Sequence, residues 1–521
     1  MFIRPIRSML LVSGTLLAAS FATDAQAQLF PVPTATVPAS DLQLDGPIHD
    51  YEMGVHEVSN AQFAAFLNDA EFHNEVQNPG FGDERGDNIR FRPPPFDFGD
   101  VGLVDGSEAD GVFDISRSLL TYSSALAVGS RYGVTPGKQD HPAVGMSWIG
   151  AAKFSNWLTI DHGLGLDQRC YAEGEGEANW FPVTIGNEVG GSKAATYAVR
   201  DLDDEERWAL VHDLRGWRLP MDGGGTAVGS VNAVPRAFNE WYKAAAYDPA
   251  APPFARTALP GTFEQHTVLG EHWIHGYGRD PLGNPDANFR ASGDPFDNPD
   301  PAVIATTPGG YYDGSDHGGV FQTTADANHY GLFDVSGNIW EFLTDQVAIS
   351  AGPIPDKSIV GGSYRSNMNQ VTPANRGDIE STTTRPVVGF RVMRVPTAPA
   401  FEDVGGGTQG IAGIPRLVGL GPLTPGSIVV VALRRAPPNG LMMIWVSFQS
   451  IPQPFFGGIF HSIPASLQVV VISDTQGDLS VPATWPGGVP AGVNMWIQYL
   501  IQDISVVYGF TLSNAVKATT P

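Results

Sequence analysis

The 521-residue chain has one cysteine, Cys170, so no disulfide can form within it. Positive charge is scarce: 30 Lys and Arg stand against 55 Asp and Glu, a formal net charge of -25. No basic patch is available to neutralise phosphates, which excludes nucleic acid as a partner; the acidity reads first as a solubility device. Past the N-terminal leader no run is apolar and long enough to cross a bilayer, so no transmembrane segment is expected. A nucleophile elbow, a P-loop and a dinucleotide fingerprint are also missing.

What is present begins with a leader. Arg4 and Arg7 precede an apolar run from about Met9 to Ala22 and an Ala25-Gln26-Ala27 site, the pattern of a secretory signal peptide cleaved after Ala27. The mature chain is therefore expected to be secreted or periplasmic. The 61 glycines and 42 prolines point to turns and loops rather than long helices. Tyr51–Val58 reads as a strand, and Ser59 with Gln62 forms a capping box for a helix whose apolar face is Phe63, Phe66 and Leu67. Ser147 caps a second helix carrying Ala151, Phe154 and Leu158. The acidic run 201–207 predicts a solvated helix, and Phe238, Trp241, Tyr242 and Ala245 mark another that ends before Asp248-Pro249.

Residues 249–330 show almost no periodicity. Residues 398–413, with Gly405-Gly406-Gly407, read as a linker. Beyond it, short β-rich runs (Ile428–Leu433, Leu441–Phe448, Leu467–Ser473, Met495–Ile501, Tyr508–Leu512) separated by turn signals predict an all-β sandwich over 414–521. Trp485 and Trp496 are candidates for carbohydrate stacking, with ordinary packing the leading alternative.

The stretch Gly331–Asp345, GLFDVSGNIWEFLTD, poses the sharpest chemical question. Glu341 lies inside the apolar run Ile339–Leu343, and a buried carboxylate without a partner costs several kcal/mol, roughly. Two partners satisfy it: an arginine from elsewhere in the chain, or a hard cation. For the second, the Asp334 side chain, the carbonyls of Gly337 and Ile339, and Glu341 form an all-oxygen set of the kind calcium prefers.

Six blocks carry a resemblance: Tyr51–Asn68, His141–Leu158, Trp217–Pro220 with Asn239–Pro249, Gly331–Phe342, Val360–Ser366 and Gly389–Val395. In this order they resemble the sulfatase-modifying-factor family, the formylglycine-generating enzymes and their bacterial relatives. The resemblance implies an α+β, C-type-lectin-like fold over residues 28–397, poor in regular secondary structure, with structural calcium. It places Asn288 and Phe289 at a first calcium site, with Asp297 or Asp300 as a later ligand, and makes 159–215 a long insertion.

The resemblance also locates an active site. Active relatives place two cysteines after the Gly-Gly-Ser segment to hold copper and attack the target thiol, since soft thiolates select Cu(I). Those positions are Ser366 and Val371 here, and the asparagine before the Gly-Phe-Arg segment is Val387. Copper is therefore not expected. A ligand pocket is expected at Trp340, Ser363, Ser366, Asn367 and Arg376, with Asn375 beside it; the alternative is a solvated loop with Arg376 paired to an acid. Iron-dependent relatives carry a separate helical domain, which the sequence lacks. His266, His272 and His275, and likewise His49, His56 and Glu57, are read as structural or exposed.

Three functions remain open: an exported, catalytically silent binding or scaffold module, an enzyme of the same family with a non-standard site, and a carbohydrate- or surface-binding protein.

Overall fold

The computed structural model describes residues 31–38, 47, 49–72, 113–164, 168–171, 204–222, 238–247, 286–319, 321–346, 356–371, 373, 375–381, 383–396, 400–411, 413–475 and 477–521. The expected leader at 1–27, the histidines at 266, 272 and 275 and most of the expected insertion fall outside them.

In chain order the N-terminal part carries β1 (Thr34–Val37), β2 (Tyr51–Gly54), α1 (Asn60–Phe72), β3 (Leu120–Tyr122), β4 (Tyr132–Val134) and α2 (Trp148–Asp161). There follow α3 (Asp204–His212), α4 (Glu240–Ala246), β5 (Trp340–Gln346), β6 (Asp356–Val360), β7 (Arg376–Glu380), β8 (Val388–Gly389) and β9 (Met393–Arg394). These make a three-stranded sheet β1-β2-β9, a four-stranded sheet β7-β6-β5-β8 and the hairpin β3-β4. The four-stranded sheet is mixed, since β8 runs parallel to β5, while β1-β2-β9 and β3-β4 are antiparallel.

Local chemistry explains the helix starts. The Ser59 N–H donates to Gln62 Oε1 at 2.9 Å and the Gln62 N–H donates to Ser59 Oγ at 3.3 Å, the reciprocal box that starts α1. Ser147 Oγ accepts from the Gly150 N–H, and Asn239 Oδ1 accepts from the Tyr242 N–H, capping α2 and α4. Aromatic rings lock α1 to α2; Phe66 meets Phe154 edge to face with centroids 5.5 Å apart.

Three expectations shift. The first strand is shorter than Tyr51–Val58 because the Gly54 and Val55 carbonyls accept from Arg391 Nη1, at 2.8 and 2.7 Å. The acidic helix becomes α3, and it is not simply solvated: Arg207, Leu210 and Val211 are buried. Within the stretch read as a linker, Phe401–Gly405 is a strand, β10, and Phe401 is buried in the C-terminal core.

The C-terminal part continues with β11 (Arg416–Leu420), β12 (Ile428–Arg434), β13 (Leu441–Ser447), β14 (Gln453–Phe455), β15 (Gly458–Phe460), β16 (Leu467–Ile472), β17 (Leu479–Thr484), β18 (Asn494–Gln502), β19 (Phe510–Leu512) and β20 (Ala515–Thr519). One sheet runs β10-β20-β18-β13-β16 with β19 beside β18, a second runs β11-β12-β17, and β14-β15 is a separate hairpin. Leu417, Val429 and Leu433 of the second sheet share a core with Met442, Ile497, Tyr499 and Val516 of the first. On the other side, Val418 and Ala432 are buried in the main N-terminal core. Trp485 is partly buried on the C-terminal core, and Trp496 is half-buried in β18.

Candidate functional site

Glu341 is buried in β5 between β6 and β8. Its counter-charge is Arg391, wholly buried in turn: Nη2 donates to Oε1 at 2.8 Å, and Nε lies 3.1 and 3.2 Å from the two carboxylate oxygens. Trp241 Nε1 donates to Oε2 at 2.7 Å. The remaining Arg391 donors go to the carbonyls of Gly54, Val55 and Phe333. Of the two partner readings, the structure supplies the arginine. The sequence held a matching clue, because Arg391 is a lone cation in the apolar run Val387–Met393 just as Glu341 is a lone anion in its own.

Three more buried pairs tie distant segments together. Arg218 grips Glu240 with contacts of 2.6 and 2.5 Å, and His49 Nε2 lies 2.7 Å from the same carboxylate. Burial alone would raise that carboxyl, but the Arg218 guanidinium outweighs it and holds Glu240 down at about 2. Arg207 reaches Asp345 at 3.1 Å. Arg376, expected in a ligand pocket, turns inward and pairs with Asp222 at 2.8 and 3.0 Å; it is buried, and the acid-paired alternative describes it.

The turn before β5 is built on left-handed residues: Asp334 (φ 57), Gly337 (φ 87) and Asn338 (φ 57). Asn338 is the hub. Its Oδ1 accepts from the Thr307 N–H at 3.0 Å, its Nδ2 donates to Glu57 Oε1 at 3.2 Å, and its N–H donates to the Asn288 carbonyl at 2.8 Å. Gly337 is required because a Cβ there would stand 2.3 Å from that carbonyl. Asp334 Oδ2 accepts from the Gly310 N–H at 2.7 Å and lies 4.0 Å from His56 Nδ1.

This corner is short of positive charge. Burial, compounded by Asp334, pushes Glu57 well above the usual carboxylate range; burial with Asp334 and Asp286 does the same to Asp326; and burial brings Asp334 to about 6. Burial, with Arg391 nearby, drops His56 to about 4, so it stays neutral. Glu57 Oε2 and Asn288 Oδ1 are buried without hydrogen-bond partners. These orphaned oxygens and raised carboxyls fit a cation at the corner. Glu341, however, already spends both oxygens on Arg391 and Trp241. Among the described residues, no three His, Cys, Asp or Glu side chains converge at metal-binding range, so an ion here would rely on carbonyl and amide oxygens. Phe289 is buried with Ala287 and Val371. Asp297 and Asp300 are engaged by the N–H groups of Gly293 and Ala302 in their own loops.

The other pocket residues separate. Ser363 and Ser366 bond to one another, Oγ to Oγ at 3.3 Å, and both are buried. Asn367 is exposed and opens the short turn Met368–Gln370. Val371 is fully buried against Ala287, Phe289 and Met368. Beside Ser366 opens a cleft of about 560 Å³ lined by Arg290, Asp297, Asn298, Asp300, Tyr364 and Arg365 among others. Trp340 and Val387 instead line a different cavity, of about 450 Å³, with Asp378 and Arg385. Cys170 belongs to the main core, its thiol held by the Gly216 carbonyl and pushed up to about 12 by burial.

Residues 5–228 and 237–396 match the model of the sulfatase-modifying factor enzyme 1-like domain. The chain belongs to this family. No curated protein matched it. Among solved structures it is similar to CarF, at 17% identity with a TM-score of 0.35 over 70% of this chain and 98% of that one. It is similar to Treponema denticola variable protein 1, at 14% identity and a TM-score of 0.32 over 70% and 98%. It is also similar to PvdO from Pseudomonas aeruginosa, at 12% identity and a TM-score of 0.27 over 70% and 92%.

Two parts of this sulfatase-modifying-factor domain were not legible beforehand. The acid cluster carries no local signal: Asp326 lies in an aperiodic stretch, and Glu57 reads from its neighbours as structural or exposed. The identity of Trp241 as a donor to Glu341 was hidden because the two residues are 100 positions apart.

Proposed function

We propose that this chain is an exported member of the family without thiol-based oxidase activity, serving as a binding or scaffold module on a C-type-lectin-like domain joined to a C-terminal β-sandwich. One observation carries the reading. Where the family's two thiolates are expected stand a hydroxyl already bonded to Ser363 and a valine packed into an apolar cluster. The only thiol in the chain is a buried core group that stays protonated. Thiolate is the form that binds Cu(I), and no thiolate stands at either position to hold it. The neighbouring cleft keeps two arginines, two aspartates and a tyrosine along its walls, groups suited to a polar ligand, a glycan included.

Titration of the purified mature protein with Cu(I) against a competing chelator tests this. No uptake beyond buffer is expected, and stoichiometric uptake would overturn the reading.

A structural calcium ion is part of the same proposal, held by Asp334, the carbonyls of Gly337 and Ile339 and, across the turn, the Asn288–Phe289 segment; Glu341, bound to Arg391 and Trp241, is not among its ligands. The raised carboxyls of Glu57, Asp326 and Asp334 support it, since a cation relieves a buried excess of acid. A ligand that binds only the native state raises the melting temperature. Chelation should therefore lower the melt, and an unchanged melt would count against the ion.

A further inference from the structure

We propose that the edge strand β16 is a self-pairing surface, joining antiparallel to β16 of a second copy of this chain about a two-fold axis at Val470. A sheet edge offers a row of unpaired backbone groups and is normally guarded by charge, proline, a bulge or a cover. Three edges of the C-terminal sheets are guarded. β10 carries Glu402 and Asp403 and a register shift at Asp403/Gly405. β11 is covered, with Val418 buried in the N-terminal core and Arg416 paired to Asp213. β17 has Pro482 in mid-strand.

β16 has none of these. Its sequence, LQVVVI, has no charge and no proline, and among the described residues it pairs only with β13. Leu467, Val469, Val470 and Ile472 are 54%, 41%, 58% and 60% exposed. β16 lies at one end of the larger sheet, and residues on both of its faces are exposed, with Val471 alone partly buried on the C-terminal core.

The occupant follows from backbone parity and charge. The Ser473 N–H donates to the Gly440 carbonyl at 3.1 Å, and Met442 stands opposite Val471. Alternation along the strand therefore turns the N–H and C=O groups of Gln468, Val470 and Ile472 away from β13. Solvent satisfies that row in the free chain, and another extended backbone can replace the solvent along its whole length. Centred on Val470, a copy of the same strand pairs Val470 with Val470, Val469 with Val471 and Gln468 with Ile472, which puts β-branched side chains opposite one another and makes the contact isologous. Residues 400–521 contain five acids and four bases, so nearly all of the net charge of -25 lies elsewhere in the chain. This end can approach its copy with little repulsion.

Sedimentation or light scattering of the full mature chain over a concentration series is expected to show a monomer–dimer equilibrium. Val470→Lys, at a position more than half exposed, should abolish the dimer and leave the melting temperature of the dilute monomer unchanged. Val470→Cys should give a disulfide-linked dimer on mild oxidation, because directly opposed bonded residues have Cα atoms roughly 5.5 Å apart, within disulfide range. Gln468→Cys, which faces Ile472 of the copy, should not cross-link. The buried Cys170 does not interfere. A monomer at every concentration, a dimer that survives Val470→Lys, or cross-linking by Gln468→Cys but not Val470→Cys would overturn the proposal.

Discussion

Arg391 and Glu341 are each nearly inaccessible to water, and each is the reason the other is tolerated. Removing one partner of such a pair strands the other charge, at a cost of about 3–5 kcal/mol. Arg391→Met should lower the unfolding free energy by that amount in urea titration, with Arg391→Met/Glu341→Leu recovering part of it. A single-variant loss under about 1 kcal/mol would contradict the pairing. Asp334 makes the opposite contribution. Its carboxyl is raised from 3.8 to about 6, so between those values the native state holds the proton more tightly than the unfolded chain. Stability from this group is present below pH 4 and is lost as pH rises through 6. Glu240, lowered to about 2, loses its contribution as pH falls from 4.5 towards 2. Without calcium, the melting temperature should therefore be highest near pH 4 to 5. Because a bound cation favours the ionised carboxylate, chelation should lower the melt more at pH 7 than at pH 5. An equal effect at both would contradict the role given to Asp334.

The turn into β5 depends on close backbone approach rather than on hydrophobic packing. Gly337→Ala would force a Cβ to 2.3 Å from the Asn288 carbonyl, at φ 87. The expected loss is about 2–3 kcal/mol, read by denaturant midpoint, and an unaffected midpoint would contradict the geometry of the turn. Elements with local signals were legible in the sequence. The Ser59–Gln62 box, the Ser147 cap and the helix at Trp241 are read from residues within one turn of each other, and β12, β13 and β18 from their β-rich composition and the turn signals between them. What was not legible depends on distant partners. The first strand stops at Gly54 because an arginine 337 positions away takes its carbonyl. Residues 401–405 form a strand only because β20 arrives alongside. Arg376 reads either as a ligand-binding residue or as paired to an acid, and the sequence does not name that acid because Asp222 lies 154 positions away.

The two parts of the chain lean on each other. Val418 and Ala432 complete the N-terminal core, and β20, close to the end of the chain, bridges β10 and β18. Truncation after Asn514 should therefore leave β10 without its partner strand and expose the C-terminal core. Loss of the cooperative melt of the C-terminal sheets, or insolubility, is expected; a soluble chain with an unchanged melt would contradict the topology. The family's scaffold is kept in this chain while the sulfur atoms of its chemistry are absent from their positions. The most direct measurement is mass spectrometry of a sulfatase-type Cys-x-Pro-x-Arg peptide incubated with the mature protein, copper and oxygen. The account predicts that the peptide cysteine stays unchanged, and conversion of its thiol to an aldehyde would contradict it.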